Sequence, residues 1–356
     1  MKINKKQLFQ QIKLLLNSNN RINNLEVEEF KIGKNFFYKI DNIEIIKFHD
    51  WLNNYLLDKI EINNSSKAFI TDKSYLDFFE PHIKNYNFIR LDIKSFFHSI
   101  NIKDIANAAK AYFDKDTIEL DKKYPLLSFF LFFTTYKIPD ISENKKFINK
   151  RVLPMGFKTS PKISNIVFRS LDIQIQKLCI KNGITYTRYV DDMLFSSKKD
   201  LTYIHTDSFI EQISFILNQM NFQLNSKKTI KAKHTISLNG YTIDSSKKEF
   251  RISNKKLLKI KKLIYMKNIQ KKSAKDILKK LFPKDFRKYK LRYCSSQLEN
   301  KIKGYRSYLL SFIVFDNKYK CLSENTKNSY IDLINKLEKL ILLDTKVYND
   351  EIDEDF

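Results

Sequence analysis

The chain has 356 residues, 43% of them hydrophobic and 14% aromatic, enough to bury a substantial core split between two or three packed units. Lys and Arg number 65 against 40 Asp and Glu, a net charge of +25. That makes a polyanion a natural partner, since each neutralised phosphate releases counterions, although charge alone fits a merely lysine-rich surface equally well. The three cysteines (Cys179, Cys294, Cys321) have no Cys-x-x-Cys spacing and the five His no ligand spacing, which argues against zinc and disulfides and predicts a reducing, cytoplasmic setting.

In chain order, residues 5–17 have helical apolar spacing behind a basic start that lacks the apolar core and cleavage site of a secretion signal. Residues 26–40 predict two short strands around Gly33-Lys34, and Ile43 to Ile60 a helix. Residues 87–100 begin as a strand and turn toward a helix; residues 104–136 read as helical with a break at Pro125. The most apolar run, Leu126 to Phe133, is too short to span a bilayer and predicts a buried helix, so no membrane association is expected. Pro154 and Gly156 exclude a helix, whereas Thr159-Ser160-Pro161 is a strong helix start. Residues 183–197 are two β-type runs meeting at Asp191-Asp192, the pattern of a hairpin with acids at its tip. A helix over 203–220 and strands near 236–243 and 248–252 follow. From Asn254 to Leu343 the pattern is helical and lysine-rich, and the acidic end, 348–356, predicts disorder.

Asp92 lies in the apolar run Phe88-Ile89-Arg90-Leu91-Asp92-Ile93, where an unpaired carboxylate is expensive and calls for a cation. Asp191 and Asp192 lie between Tyr189-Val190 and Met193-Leu194-Phe195, and repel unless something positive sits between them. A solvated turn is the plain alternative, but the apolar flanks on both sides count against it. Carboxylates holding hard divalent ions, with water and substrate phosphate completing the shell, describe phosphoryl-transfer chemistry, and a nucleotidyltransferase would join the acids to the basic charge.

LDIKSFF, LPMGFKTSPKISN and YVDD, in that order and spacing, resemble the core motifs of reverse transcriptases of the bacterial retron, group II intron and defence-associated lineages. Residues 48–60, 67–74, 224–229, 238–241 and 301–312 extend the resemblance to nearly the whole chain except the acidic tail. It implies an α+β right-hand polymerase: fingers and an antiparallel-sheet palm over 1–250, a helical thumb over 251–347, and the acidic tail 348–356. The implied activity is RNA-directed DNA synthesis from dNTPs, using two Mg2+ ions (Mn2+ as the alternative) on Asp92, Asp191, Asp192 and the Ile93 carbonyl. The implied partners are a structured non-coding RNA as template and the DNA product, with service in antiphage defence.

By the same resemblance Lys228, or Lys227 beside it, contacts the leaving pyrophosphate. Phe97 lies beneath the sugar and excludes a 2′-hydroxyl; as a physical matter Phe fills that space and cannot hydrogen-bond it, while the plain alternative is a core ring. Met155, Gly156, Ser160, Lys73 and Lys39 are implied substrate contacts, and Arg188, Tyr189, Gly240, Tyr241, Lys303, Tyr305 and Arg306 implied nucleic-acid contacts. Met155 stands where relatives commonly carry Gln, and Leu238-Asn239-Gly240 where retron enzymes often carry Val-Thr-Gly. The latter departure, with Asn107-Ala108 followed by Ala111 where retron enzymes often carry Asn-Ala-x-x-His, favours a defence-associated enzyme; a retron or mobile-element enzyme is the second reading and a catalytically silent RNA-binding relative the third.

Overall fold

The computed structural model describes residues 25–113, 117–119, 123–286, 290 and 293–353, together with residues 7, 8, 10–12 and 15. Of the N-terminal helix expected over 5–17, those six residues are helical and the rest lie outside the described residues. Two compact units divide the chain, one built from residues 1–78 and 87–231, the other from 79–86 and 232–356.

The first unit opens with the predicted hairpin, β1 (Glu28–Ile32) and β2 (Asn35–Lys39), turning at Gly33, whose φ of +64° a side chain would resist. Helix α1 (Ile43–Tyr55) follows; Asn42 caps it by accepting from the amides of Glu44 and Ile45. The central strand β3 (Asn87–Asp92) leads through Ser95, in a left-handed conformation, to the short helix α2 (Phe96–Ser99) and then to α3 (Ile102–Ala109), capped by Asn101.

The helical run expected over 104–136 with a break at Pro125 is broken earlier as well, since α3 ends at Ala109. Strands β4 (Thr117–Glu119) and β5 (Lys123–Pro125) pair antiparallel before α4 (Leu126–Thr134) begins. Pro125, which has no amide hydrogen to donate, ends the strand and immediately precedes that helix. The apolar run of α4 is buried through Leu126, Phe130 and Phe133, as its composition predicts.

Strands β6 (Tyr136–Lys137) and β7 (Arg151–Val152) then frame a polar loop, and α5 (Ser160–Lys181) starts at the predicted Ser160-Pro161. Strands β8 (Thr185–Tyr189) and β9 (Asp192–Ser197) form the second hairpin, and α6 (Asp207–Asn218) is capped by Thr206. With the strand β10 (Ile230–Lys233) these make a four-stranded sheet in the order β10-β3-β9-β8. The register sets Asp92 opposite Asp192 and Leu91 opposite Met193. Helix α5 covers this sheet: the rings of Phe96, Phe168 and Phe222 interlock with centroids 5.2–5.7 Å apart.

In the second unit β11 (Thr235–Leu238), β12 (Tyr241–Asp244) and β13 (Glu249–Ile252) form a three-stranded antiparallel sheet. Its first turn, Asn239-Gly240, has positive φ at both positions, the pattern of a tight type I′ hairpin. Helices α7 (Asn254–Asn268), α8 (Ala274–Leu281), α9 (Pro283–Phe286), α10 (Cys294–Tyr319) and α11 (Glu324–Asp353) follow. Phe250 of the sheet packs on Phe312 and Phe315 of α10, so residues 235–252 sit with the helices. Residues 79–86 and 232–356 thus form one compact unit by contact.

Helix α11 runs to Asp353, so residues 348–353 of the acidic end are helical, a correction to the expected disorder; residues 354–356 lie outside the described residues. Extending an existing helix costs far less than nucleating one, and this helix is already anchored by buried Tyr330, Leu333 and Leu337. No helix among the described residues is long and apolar enough to cross a membrane. Cys179, Cys294 and Cys321 are all free and buried.

Candidate active site

The sheet of the first unit brings three carboxylates to one end. Asp92 is the last residue of β3, Asp192 the first of β9 and its register partner, and Asp191 lies in the turn before it. That turn has only two residues, Val190-Asp191, between the paired Tyr189 and Asp192. Val190 has φ +58°, a conformation a β-branched residue adopts only under constraint.

The constraint lies beneath it. Arg188 is fully buried and grips Asp172 through Nε (3.0 Å) and Nη2 (2.7 Å), while its Nη1 donates to the Val190 carbonyl at 3.0 Å. Asn165 accepts from the same guanidinium at 3.1 Å, and Tyr186 donates to Asp172 at 2.7 Å. The guanidinium lies 4.4 Å from the centre of the Phe168 ring. Burial alone would lower the pKa of Arg188, but Asp172 outweighs it and the pKa is raised. A charge pair this dry holds only because nearly every donor and acceptor has a partner.

Asp92 is 2% exposed and closely held. The Lys228 ammonium lies 2.9 Å from its Oδ2, and Asn225 donates to Oδ1 at 3.0 Å. The Asn225 amide also donates to the Asp92 carbonyl at 2.7 Å, fastening the 225–228 turn to the end of β3. Arg90, two residues back on the same face of the strand, bridges Asp92 (3.3 Å) and Asp192. The Ile93 amide donates to the Asp191 carbonyl at 3.0 Å. Burial, then the charges of Asp192 and Asp92, push the Asp191 carboxyl up to about 6. Burial likewise raises Asp192, against the pull of Arg90.

This is a surplus of buried negative charge with hard oxygen donors, and it suits divalent cations such as Mg2+. As they stand, no three carboxylate, imidazole or thiolate groups among the described residues converge to ligate one ion, since Arg90 and Lys228 take the carboxylate oxygens.

Other sequence-predicted residues fall elsewhere. Phe97 is 9% exposed, with its ring beside Phe69 and edge-on to Phe96. The Met155 carbonyl accepts from the Tyr38 amide at 2.8 Å. Gly156 has φ +116°, and a Cβ there would lie 2.5 Å from the Tyr38 carbonyl oxygen, so only glycine lets this loop approach β2. Ser160 is fully buried, its hydroxyl donating to the Pro154 carbonyl at 2.6 Å; it shapes the loop and offers no free hydroxyl to a substrate. Lys73 lies 3.8 Å from Asp77, and Lys39 pairs with Asp41 at 2.5 Å. Tyr189 packs edge-on to Tyr75.

The expected nucleic-acid role of Arg188 is corrected: with no exposed surface it supports the hairpin from below. In the second unit Tyr241 and Tyr305 are buried, the first packed on Phe79 and Phe312, because aromatic rings were needed for the core. The Gly240 carbonyl accepts from Tyr308 at 3.2 Å; Lys303 pairs with Glu299 (2.5 Å) and Arg306 with Glu338 (2.6 Å). Sequence reasoning missed Arg90, Asn225 and Asp172. The first two stood two residues before Asp92 and three before Lys228, where strand alternation and a single turn bring side chains together.

Residues 44–243 match the family model described as reverse transcriptase (RNA-dependent DNA polymerase). The Retron Ec73 reverse transcriptase of Escherichia coli is 29% identical over 201 residues, 55% of this chain and 58% of that one. The Retron Ec83 reverse transcriptase of the same organism is 31% identical over 159 residues, 45% of this chain and 44% of that one. The matches thus span about half the length of these curated relatives. Among solved structures, telomerase from Candida albicans in complex with a fragment of telomeric RNA aligns with 92% of this chain and 63% of that one, at 11% identity and a TM-score of 0.44, too distant to carry an argument. With more than half its length matched by the family model, the chain belongs to the reverse transcriptase family.

Proposed function

We propose that this chain is an RNA-directed DNA polymerase that extends a primer 3′ end with dNTPs at Asp92, Asp191 and Asp192. The observation that carries the reading is the meeting of these three carboxylates with Lys228 at one end of the sheet. Asp92, Asp191 and Asp192, with the Ile93 carbonyl, would hold two Mg2+ ions or Mn2+ in their place. When bound, such ions lower the pKa of the attacking hydroxyl and neutralise charge on the leaving pyrophosphate.

The chain's own residues do the rest. Arg188 and Asp172 lock the Val190-Asp191 turn, so the acids are pre-positioned and need not be ordered during the reaction. Lys228, half exposed beside Asp92, would turn its ammonium to the departing pyrophosphate. Phe97 excludes a ribose 2′-hydroxyl by filling its space. In the fold, residues 1–250 would serve as fingers and palm and 251–347 as thumb.

The test is Mg2+-dependent incorporation of labelled dNTPs on an RNA template. Wild type incorporates, and Asp191→Asn/Asp192→Asn does not; equal incorporation by both ends the reading. Phe97→Ala is expected to raise ribonucleotide incorporation relative to dNTPs, and an unchanged ratio returns Phe97 to a core role.

The template in this reading is a structured RNA from the chain's own locus, used in the cytoplasm. The similarity to retron enzymes supports such an RNA and draws the reading toward retrons, against the departures at Met155 and Asn239. Sequencing of nucleic acid that co-purifies decides it: one recurring RNA joined by its DNA copy is expected, and random cellular RNA rejects it. Antiphage service predicts that the locus lowers phage plating and that Asp191→Asn restores it.

A further inference from the structure

The first unit also holds an open cleft of about 710 Å3 between the start of α3 and the β6–β7 loop, with Lys94, two residues after Asp92, on its wall. Lys94, Lys103, Lys146, Lys150 and Arg151 line it, and no acidic residue does. None of the four lysines pairs with a carboxylate among the described residues. Five cations drawn together with no acidic residue in the lining repel one another, and a fold bears that cost most readily where an anion relieves it.

His98, 8% exposed, lies between the Tyr38 and Phe147 rings, and burial and Lys146 lower its pKa to about 4, so it adds no charge to the wall. One further observation points to an anion. The first turn of α3 also borders the cleft at Asn101, Ile102 and Lys103, and the amides of a helix start favour negative charge.

The lining also says what kind of anion. Its one aromatic residue, Phe147, is 8% exposed and lies under the ammonium groups of Lys146 (5.0 Å) and Lys150 (5.9 Å). There is no open ring on which a base could stack, so the cleft suits phosphates rather than bases. Arg151 contributes from the wall, with Nη1 donating to Thr135 Oγ1 at 3.2 Å.

We propose that this cleft seats the phosphate backbone of a nucleic-acid strand, independently of base sequence. It deepens the polymerase reading by giving the bound strand a second anchor, and it rests on that reading for its biological use. None of its lining residues is one of the three carboxylates. Phosphate chemistry alone would also accept a free polyphosphate, which lacks the length to reach beyond the cleft.

The test uses the full chain, labelled single-stranded RNA, EDTA and no dNTPs, so that binding is read without catalysis. Lys103→Ala/Lys150→Ala is compared with Lys177→Ala/Lys181→Ala, which removes the same charge from exposed positions on α5. The cleft pair is expected to weaken binding roughly tenfold and to make the slope of log K against log salt shallower by about 1.4, about 0.7 per lost contact. The α5 pair is expected to change little, and RNA and DNA strands of equal length to bind alike. Equal effects of the two pairs overturn the proposal. So does displacement of RNA by tripolyphosphate at equal phosphate concentration, which assigns the cleft to a small anion. A chain that binds through the cleft but never extends a primer keeps this inference and loses the polymerase reading; the opposite pair of results reverses that outcome.

Discussion

Asp191 stands in the turn because of what the site must hold. A carboxyl whose folded pKa is displaced upward, from 3.8 to about 6, is favoured in its protonated form by the fold. Below pH 4 it is neutral both folded and unfolded, and contributes nothing. As pH rises from about 4 to 6 the unfolded chain ionises first, so stability is lost across that window and stays lost above it. At about 1.4 kcal/mol per tenfold change, that loss is at most about 3 kcal/mol, less for the part of the group open to water. Asp191→Asn, measured by thermal unfolding in EDTA, is therefore expected to be more stable than wild type at pH 7 by about 1–3 kcal/mol. The gain should shrink toward zero as pH falls from 6 to 4; a variant less stable at pH 7 contradicts it. The three acids were legible in the sequence because apolar neighbours made their charge conspicuous. Arg90 and Asn225 were not, because what they touch depends on strand register and on a turn 133 residues further on.

At the level of elements, the β8–β9 hairpin is held by a buried charge pair rather than by a favourable turn residue. Arg188→Met leaves Asp172 buried without its counter-charge and is expected to cost about 3–5 kcal/mol in denaturant unfolding. Arg188→Met with Asp172→Leu should recover much of that loss, and no recovery would show that the pair does more than neutralise itself. Val190→Gly relieves the left-handed backbone and should leave stability within about 1 kcal/mol, while incorporation falls because the turn is freed. Gly156→Ala meets the Tyr38 carbonyl at 2.5 Å and is expected to destabilise the unit by about 1–3 kcal/mol or more. The hairpin at 28–39 was readable from its turn glycine, and that at 185–197 from two β-type runs meeting at Asp191-Asp192. The hairpin at 117–125 was hidden because short strands next to apolar helices carry no distinctive period.

For the whole molecule, the basic charge allowed a nucleic-acid partner without placing it, and the change to lysine-rich helices near 254 was legible in composition, whereas the grouping of residues 232–253 with those helices was not. Ring contacts between β13 and α10 place the three-stranded sheet with the helices, a long-range fact that no local window contains. The same limit applies to the cleft, whose lysines come from separate segments over 94–151.

The buried thiols give the molecule a chemistry of its own. Burial pushes Cys179 and Cys321 up to about 12, so neither offers thiolate to an alkylating reagent while folded. Cys179 belongs to the first unit, Cys294 and Cys321 to the second. Brief pulses of iodoacetamide during a denaturant titration, read by peptide mass, would thus time the opening of each unit separately. Identical midpoints for the three sites would describe one cooperative melt; a split between Cys179 and the other two, two. Labelling of any of them in the native protein would contradict their burial.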